Sequence, residues 1–207
     1  MTARAVVGGQ LLVLALLAAM AALVVVTSPD VEPLAPASPD GGPLEWDGED
    51  LYRLVLPLAA DAGILTRSFG DPRPGNRAHE GEDVLAPKMT PVWAAADGVV
   101  IHLQGGPDAA DQVGRGRCCA LTLLHGDGWR TRYLHLNNDT PGTDDGRGHG
   151  IAPGLEVGSE VAAGELIGWV GDSGNAESTV PHLHFELRRP DGGAVDPYPS
   201  LRAAAAR

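Results

Sequence analysis

Between Asp83 and Pro197 the chain never runs far without a turn signal. Breaks rich in Gly, Asp and Asn (ADG, HGDG, PGTDDGRGHG, GDSGN and RPDGG) separate short runs of Val, Leu, Ile and Tyr. No long stretch there keeps a 3.6-residue apolar period, so an amphipathic helix of ordinary length has nowhere to form. What remains is strands of about five to seven residues: Gly98–Leu103, Cys119–His125, Arg130–Leu136 and His182–Leu187. This pattern predicts a mostly antiparallel β fold, either a sandwich or a closed sheet. The segment LYRLVLPLAADAGIL reads equally as a short helix or an extended entry strand. MTPVWAAADGVVI and GSEVAAGELIGWVG echo each other loosely, which suggests two similar hairpins stacked face to face. Gln104–Arg117 and Asn137–Gly154 are expected as loops inserted between strands, and loops of that length commonly wall a site or stay disordered.

The N-terminal part is of another kind. Ala5 to Val26 carries no charged residue, and a bilayer core needs roughly 20 apolar residues in a helix. The run ends without a clean A-x-A and has no cysteine for lipid attachment, which favours an uncleaved anchor over a cleaved signal. Arg4 ahead of it and an acidic remainder suit an N-in orientation, with the rest of the protein in the cell envelope outside the cytoplasm. The expected organisation is an anchor or signal segment over 1–27 and a Pro/Asp/Gly-rich linker over 28–50. A domain with its own core follows over 51–200, then an Ala/Arg tail over 201–207.

The formal charge of −12 argues against nucleic acid as a partner, because phosphate binding needs a basic face. Cys118 and Cys119 are adjacent, and neighbours reach disulfide geometry only with strain. They read as two small buried hydrophobes in preference to a vicinal bridge. With no other cysteine, a cysteine-rich zinc site is excluded.

Chemistry concentrates in PHLHFEL. On a strand, His182, His184 and Glu186 share one face and Leu183, Phe185 and Leu187 the other. The apolar face must enter the core, which sets the two imidazoles side by side on the opposite face. A lone H-x-H is a weak metal signal, but RAHEGEDVLAP adds His79 and Asp83 four residues apart, with Gly81 between them to let the backbone bend. One carboxylate and two histidines leave a fourth tetrahedral position for water, the arrangement of catalytic zinc. Glu80 and Glu82 are expected to be solvated. His135 in RYLHLN, on a strand between two leucines, also looks toward a polar face. A lone histidine there is more often a satisfied core or edge residue, and it gains weight from the other elements.

HEGED, YLHL and PHLHFEL, in this order, resemble the lysostaphin-type (LytM-like) zinc metalloendopeptidases that cut peptidoglycan peptides. The resemblance runs from about Leu56 to Pro197 and includes TRSFGDPR, VLAPKMTPVWAAADGVV, VAAGELIGWVGDSGN and GGAVDP. It implies an antiparallel β-sandwich or hybrid-barrel peptidase domain holding one Zn2+, with His79, Asp83 and His184 as ligands. His135 and His182 match the two non-ligand histidines of the active site. Zinc would lower the pKa of its water, His182 could take a proton, and His135 could hold the oxyanion or protonate the leaving amine. Which of the two is the base stays open. The resemblance further implies a peptidoglycan peptide as substrate and a possible protein regulator of access to the groove. The family also holds degenerate, metal-free members that activate other hydrolases, but those lose several of the five residues present here.

Departures from the family are Val180 and Met89, each where a Gly is frequent, and a longer turn at Gly171–Val180. Asp144, Asp145 and His149 are expected as solvated loop residues in preference to a second metal site. His102 and His125 carry no matching role, and Glu186 is expected to face solvent in preference to backing a ligand imidazole. The rhythm at Val157–Gly168 also fits hybrid-barrel carrier modules. A carrier needs a modifiable lysine at a hairpin tip, and the only lysine, Lys88, lies far from that rhythm.

Overall fold

The computed structural model describes residues 51–105 and 119–207, together with the backbone of a hairpin, β1 (Pro43–Trp46) and β2 (Glu49–Tyr52). The apolar run Ala5–Val26, most of the 28–50 linker and most of the Gln104–Arg117 insertion lie outside the described residues. Among the described residues no helix is long and apolar enough to cross a membrane.

The strands follow as β3 (Ile64–Leu65), β4 (Pro72–Arg73), β5 (Arg77–Ala78), β6 (Glu82–Leu85), β7 (Pro91–Trp93) and β8 (Gly98–Gln104). After them come β9 (Ala120–Leu124), β10 (Arg130–Leu134), β11 (Glu160–Val161), β12 (Leu166–Trp169), β13 (His182–Arg188) and β14 (Ala194–Val195). An eight-stranded antiparallel sheet runs in the order β11-β8-β9-β10-β13-β6-β3, with β14 pairing on β13. The expected strands are all present, each within a residue or two of its predicted bounds.

The two echoing segments pair edge to edge: β7 hydrogen-bonds to β12, and β8 to β11. The expectation of hairpins stacked face to face is corrected accordingly. The 51–65 segment forms no helix. Pro57 lacks the N–H a helix interior needs, and the segment runs along the domain with Val55 N donating to Ala95 O and Trp93 N to Pro57 O.

One face of the sheet supplies the core. Leu121, Leu123, Tyr133, Leu183, Phe185 and Leu187 are fully buried with Val92, Ile167 and Val170. Each such side chain contributes roughly 1.5–3 kcal/mol of burial. Tyr133 is the polar exception; its hydroxyl accepts from Ala95 N at 2.7 Å. Burial pushes its pKa up to about 12, so the phenol stays protonated.

The segment read as a tail belongs to a helix, α1 (Tyr198–Ala205). Leu201 is fully buried, and Ser200 Oγ accepts from Tyr52 N, so apolar burial and a hydrogen bond draw the end of the chain into the fold. The cysteine expectation also needs correction. Cys119 is buried as foreseen but is disulfide-bonded; Cys118 lies outside the described residues.

Candidate metal centre

Strand register builds the centre. β13 pairs antiparallel with β6 so that His184 stands opposite Asp83, and with β10 so that His184 also stands opposite Leu134. His79 enters from the short link between β5 and β6. Gly81 is required there for proximity: a Cβ at 81 would sit 2.6 Å from Phe185 O and 2.8 Å from the His184 ring. The close approach of His184, more than a bend, excludes a side chain.

Three atoms converge. His79 Nε2 lies 2.8 Å from His184 Nδ1, and Asp83 Oδ1 lies 3.1 Å from the first and 2.9 Å from the second. Their outer partners decide what these atoms are. His79 Nδ1 is 2.8 Å from Ser68 O, which can only accept, so the His79 proton sits on Nδ1. His184 Nε2 is 3.2 Å from Glu186 Oε1 and donates to it. In its neutral form each imidazole therefore turns a lone pair toward the other and toward a carboxylate oxygen. Three acceptors at such distances need a shared cation, and two imidazoles with one carboxylate are a zinc-type donor set. Burial lowers the pKa of His79. Burial opposes the charging of His184, but Asp83 and Glu186 raise its pKa nonetheless. Asp83 is desolvated as well, yet with no metal between them a proton taken up on His184 Nδ1, together with the neighbouring histidines, brings it to about 2.

Two carboxylates expected to be solvated are structural parts of this centre. Glu186 is buried, and Arg188 Nε and Arg132 Nη1 hold its Oε2 at 2.6 and 2.9 Å. Burial would raise its pKa, but His184 and the two arginines keep it near 2, so it stays an anion behind the imidazole. Glu82 has no exposed surface. It points to the core side of β6 and accepts from the backbone N–H groups of Arg67 and Ser68 at 2.6 and 3.1 Å. Burial pushes its pKa up, against those hydrogen bonds. It thus holds the turn whose Ser68 carbonyl fixes His79. Arg73, from the β4–β5 hairpin, takes the other oxygen of Asp83 at 3.0 Å. Glu80 remains largely exposed and pairs with Arg188.

His182 and His135 lie beside the three atoms, their rings 4.9 Å apart. His182 Nε2 is 3.8 Å from Asp83 Oδ1, and its Nδ1 donates to Val180 O at 2.7 Å. The route of His135 to this face differs from the expectation. β10 ends at Leu134, and further alternation would send residue 135 to the core side with Thr131 and Tyr133. His135 instead has φ 58°, and this left-handed turn re-aims the ring at the site. Its Nδ1 donates to Ser173 O at 2.8 Å. Burial lowers its pKa to about 4, so the ring is neutral near pH 7.

The remaining candidates separate cleanly. His125 is a satisfied core histidine, bonded to Asp97 O and Thr131 Oγ1. His102 and His149 are exposed and belong to neither group of converging ligand atoms. Asp144 is exposed but is bound by Lys88, which also pairs with Asp139 and Asp172. Met89 takes φ 69°, the turn conformation for which a glycine is frequent in the family. Val180 is exposed and contributes only its carbonyl to His182.

The sequence pattern of peptidase family M23 matches residues 77–197, more than half of the chain. The chain belongs to this family. Among curated relatives, the peptidoglycan DD-endopeptidase ShyA of Vibrio cholerae is 30% identical over 154 residues, covering 72% of this chain and 30% of its own length. The L-Ala–D-Glu endopeptidase of Bacillus subtilis is 33% identical over 167 residues, covering 74% and 44%. Among solved structures, lysostaphin from Staphylococcus simulans matches this M23 domain with a TM-score of 0.52 at 25% identity, covering 75% of this chain and 56% of that one. A zinc-containing peptidase from Vibrio cholerae gives 0.50 at 26% identity, covering 73% and 44%. The fold is thus of lysostaphin type, and the chain spans less than half the length of these two curated relatives.

Proposed function

We propose that this M23 domain is a zinc-dependent endopeptidase that hydrolyses peptide bonds in peptidoglycan stem peptides or cross-links. The observation that carries the reading is the convergence of His79 Nε2, Asp83 Oδ1 and His184 Nδ1 as acceptors with no donor of their own. The set fits one zinc ion, which when bound would supply a Lewis acid and a water of lowered pKa.

The chain's own residues do the rest. Ser68 and Glu186 keep the protons of His79 and His184 on their outward nitrogens. His182 and His135 each give Nδ1–H to a main-chain carbonyl, which leaves Nε2 as a free acceptor on the site side. Either can therefore take a proton from an attacking water and return it to the leaving amine. The buried flank of His135 keeps it neutral and ready to accept. The likeness to ShyA, a peptidoglycan DD-endopeptidase, supports a peptidoglycan peptide as substrate, and the likeness to the B. subtilis L-Ala–D-Glu endopeptidase supports cleavage of a peptide bond. We also propose an extracytoplasmic location with Ala5–Val26 as the anchor, and a protein regulator of access remains part of this reading.

The test is the full chain incubated with purified sacculi or cross-linked muropeptides, with and without chelator. Near one zinc per chain and new amine ends that vanish on chelation are expected. Zinc well below one per chain and no new ends would instead favour a catalytically silent activator of another cell-wall hydrolase.

A further inference from the structure

Lys88, the chain's only lysine, lies between β6 and β7, outside the metal centre. Its ammonium is 2.7 Å from Asp139 Oδ2, 2.6 Å from Asp144 Oδ1 and 2.8 Å from Asp172 Oδ1. The side chains of Asp139 and Asp172 are only 1% and 5% exposed. Two buried carboxylates so close together need a cation, and Lys88 is the one the chain provides. Burial works against the charge, but the three carboxylates hold the Lys88 pKa above lysine's usual range.

What these carboxylates belong to gives the contact its meaning. Asp139 organises the insertion after His135: its Oδ1 accepts from Gly146 N, and its carbonyl accepts from Asn137 Nδ2. Asp144 lies further along the same insertion. Asp172 is the middle residue of Gly171–Ser173, the segment that grips both non-ligand histidines. Gly171 N donates to His135 O at 2.9 Å, and Gly171 O accepts from His182 N at 3.1 Å. Ser173 O accepts from His135 Nδ1 at 2.8 Å. The root of the insertion lies directly on this segment, since a Cβ on Gly171 would fall 2.4 Å from Asn137 Cα. His135 also keeps a left-handed backbone, which costs free energy unless its surroundings over-determine it.

We propose that Lys88 is a positioning residue: through Asp172 it fixes Gly171–Ser173, and with it His135 and His182, while through Asp139 and Asp144 it ties the 137–150 insertion to the same segment. The insertion and the proton-handling histidines then move as one unit. This inference rests on the proposed endopeptidase reading for its kinetic arm only.

The experiment compares zinc-loaded full chains carrying Lys88→Met, Lys88→Arg and the double change Lys88→Met/Asp172→Asn. A misplacement of about 1 Å can cost on the order of 10²-fold in rate, and a loss approaching that in kcat is expected for Lys88→Met, with little change in KM. Zinc should stay at one per chain. Lys88→Arg should keep most of the rate, and the double change should recover part of it by removing a buried unpaired charge.

Imidazole NMR supplies an arm independent of turnover: the His135 Nδ1–H signal should broaden or exchange faster in Lys88→Met while that of His79 persists. Should Lys88→Met fail to fold, Lys88→Gln removes the charge while keeping a polar group that can still donate to Asp139 or Asp172. An unchanged His135 signal and rate after loss of the charge would overturn the proposal. So would loss of zinc in parallel with rate, or a second metal ion bound per chain by the wild type. If the wild type binds zinc but cleaves nothing, the endopeptidase reading fails while the NMR arm still decides the role of Lys88.

Discussion

The two halves of the site are held by different chemistry. On the His79/Asp83/His184 side, charged groups stand behind the ligand atoms: Glu186 behind His184, Arg73 on the second oxygen of Asp83, and Glu82 behind the turn that fixes His79. On the His135/His182 side, only main-chain carbonyls stand behind the rings, those of Ser173 and Val180. An imidazole backed by a carboxylate becomes more basic and suits a cation. One backed by a carbonyl has its tautomer fixed, and at His135 burial keeps the ring neutral, which suits a group proposed to take up and give back a proton. What lies behind each ring thus sets His184 apart from His135 and His182, while His79, backed by the Ser68 carbonyl, owes its place in the proposed metal site to its convergence with Asp83 and His184.

The largest effects should come from the charged side. His184→Ala removes one of three converging atoms and leaves Glu186 facing a hole, so zinc and all turnover should be lost together. Metal analysis by mass spectrometry beside a muropeptide assay checks this. His184→Ala protein that kept one zinc per chain would mean that the converging trio is not the metal site.

Next in size, His182→Ala and His135→Ala should keep zinc and lose turnover by about 10²–10⁴-fold, the usual range for a general acid or base. Loss of zinc in either would erase the contrast between the two sides. Smaller again, Glu186→Gln keeps the shape and removes the charge behind His184. Metal affinity should fall by about 10–100-fold, as is typical when such an outer partner is lost, and a competition titration against a chelator would read it. An equal loss from a change at Val180 would mean that the charge behind His184 has no special weight.

How much of this the sequence disclosed depends on the range of the interaction. Alternation in PHLHFEL fixed which residues share a face, because the period of a strand is local and strict. His79, His135, His182, His184 and Asp83 were named from spacing and family pattern together, and the fold gathers all five. Glu82 and Glu186 were misjudged for a common reason. Whether a carboxylate is solvated depends on what the fold brings to it: Arg67 and Ser68 come from the loop after β3 and Arg132 from β10, and only Arg188, two residues along the same face of β13, is a local partner. Lys88 was noted only as the single lysine; its three acidic partners lie 51, 56 and 84 positions away, beyond any pattern read along the chain. The turn at His135 was hidden because YLHL looks like unbroken strand. A hint was available in the polar NND that follows, where a chain commonly leaves a sheet.

The smallest expected effect separates the two sides by pH. In the chelated protein, burial holds His135 at about 4 against an ordinary value of 6.5. Between those limits the unfolded chain binds a proton that the folded one refuses, so stability falls as pH drops from about 6.5 toward 4. Asp83 and Glu186, held near 2, give way in a lower window, from their ordinary values of 3.8 and 4.5 downward. His79 and His125 are lowered in the same direction as His135, while His184 is raised and works the other way. The informative quantity is therefore the difference between wild type and His135→Gln in urea unfolding from pH 7 to pH 3. That difference should shift between about pH 6.5 and 4 and be flat below, with the wild type losing more stability across the window. A difference that instead grows below pH 4 would place the sensitivity with the carboxylates, on the charged side of the site.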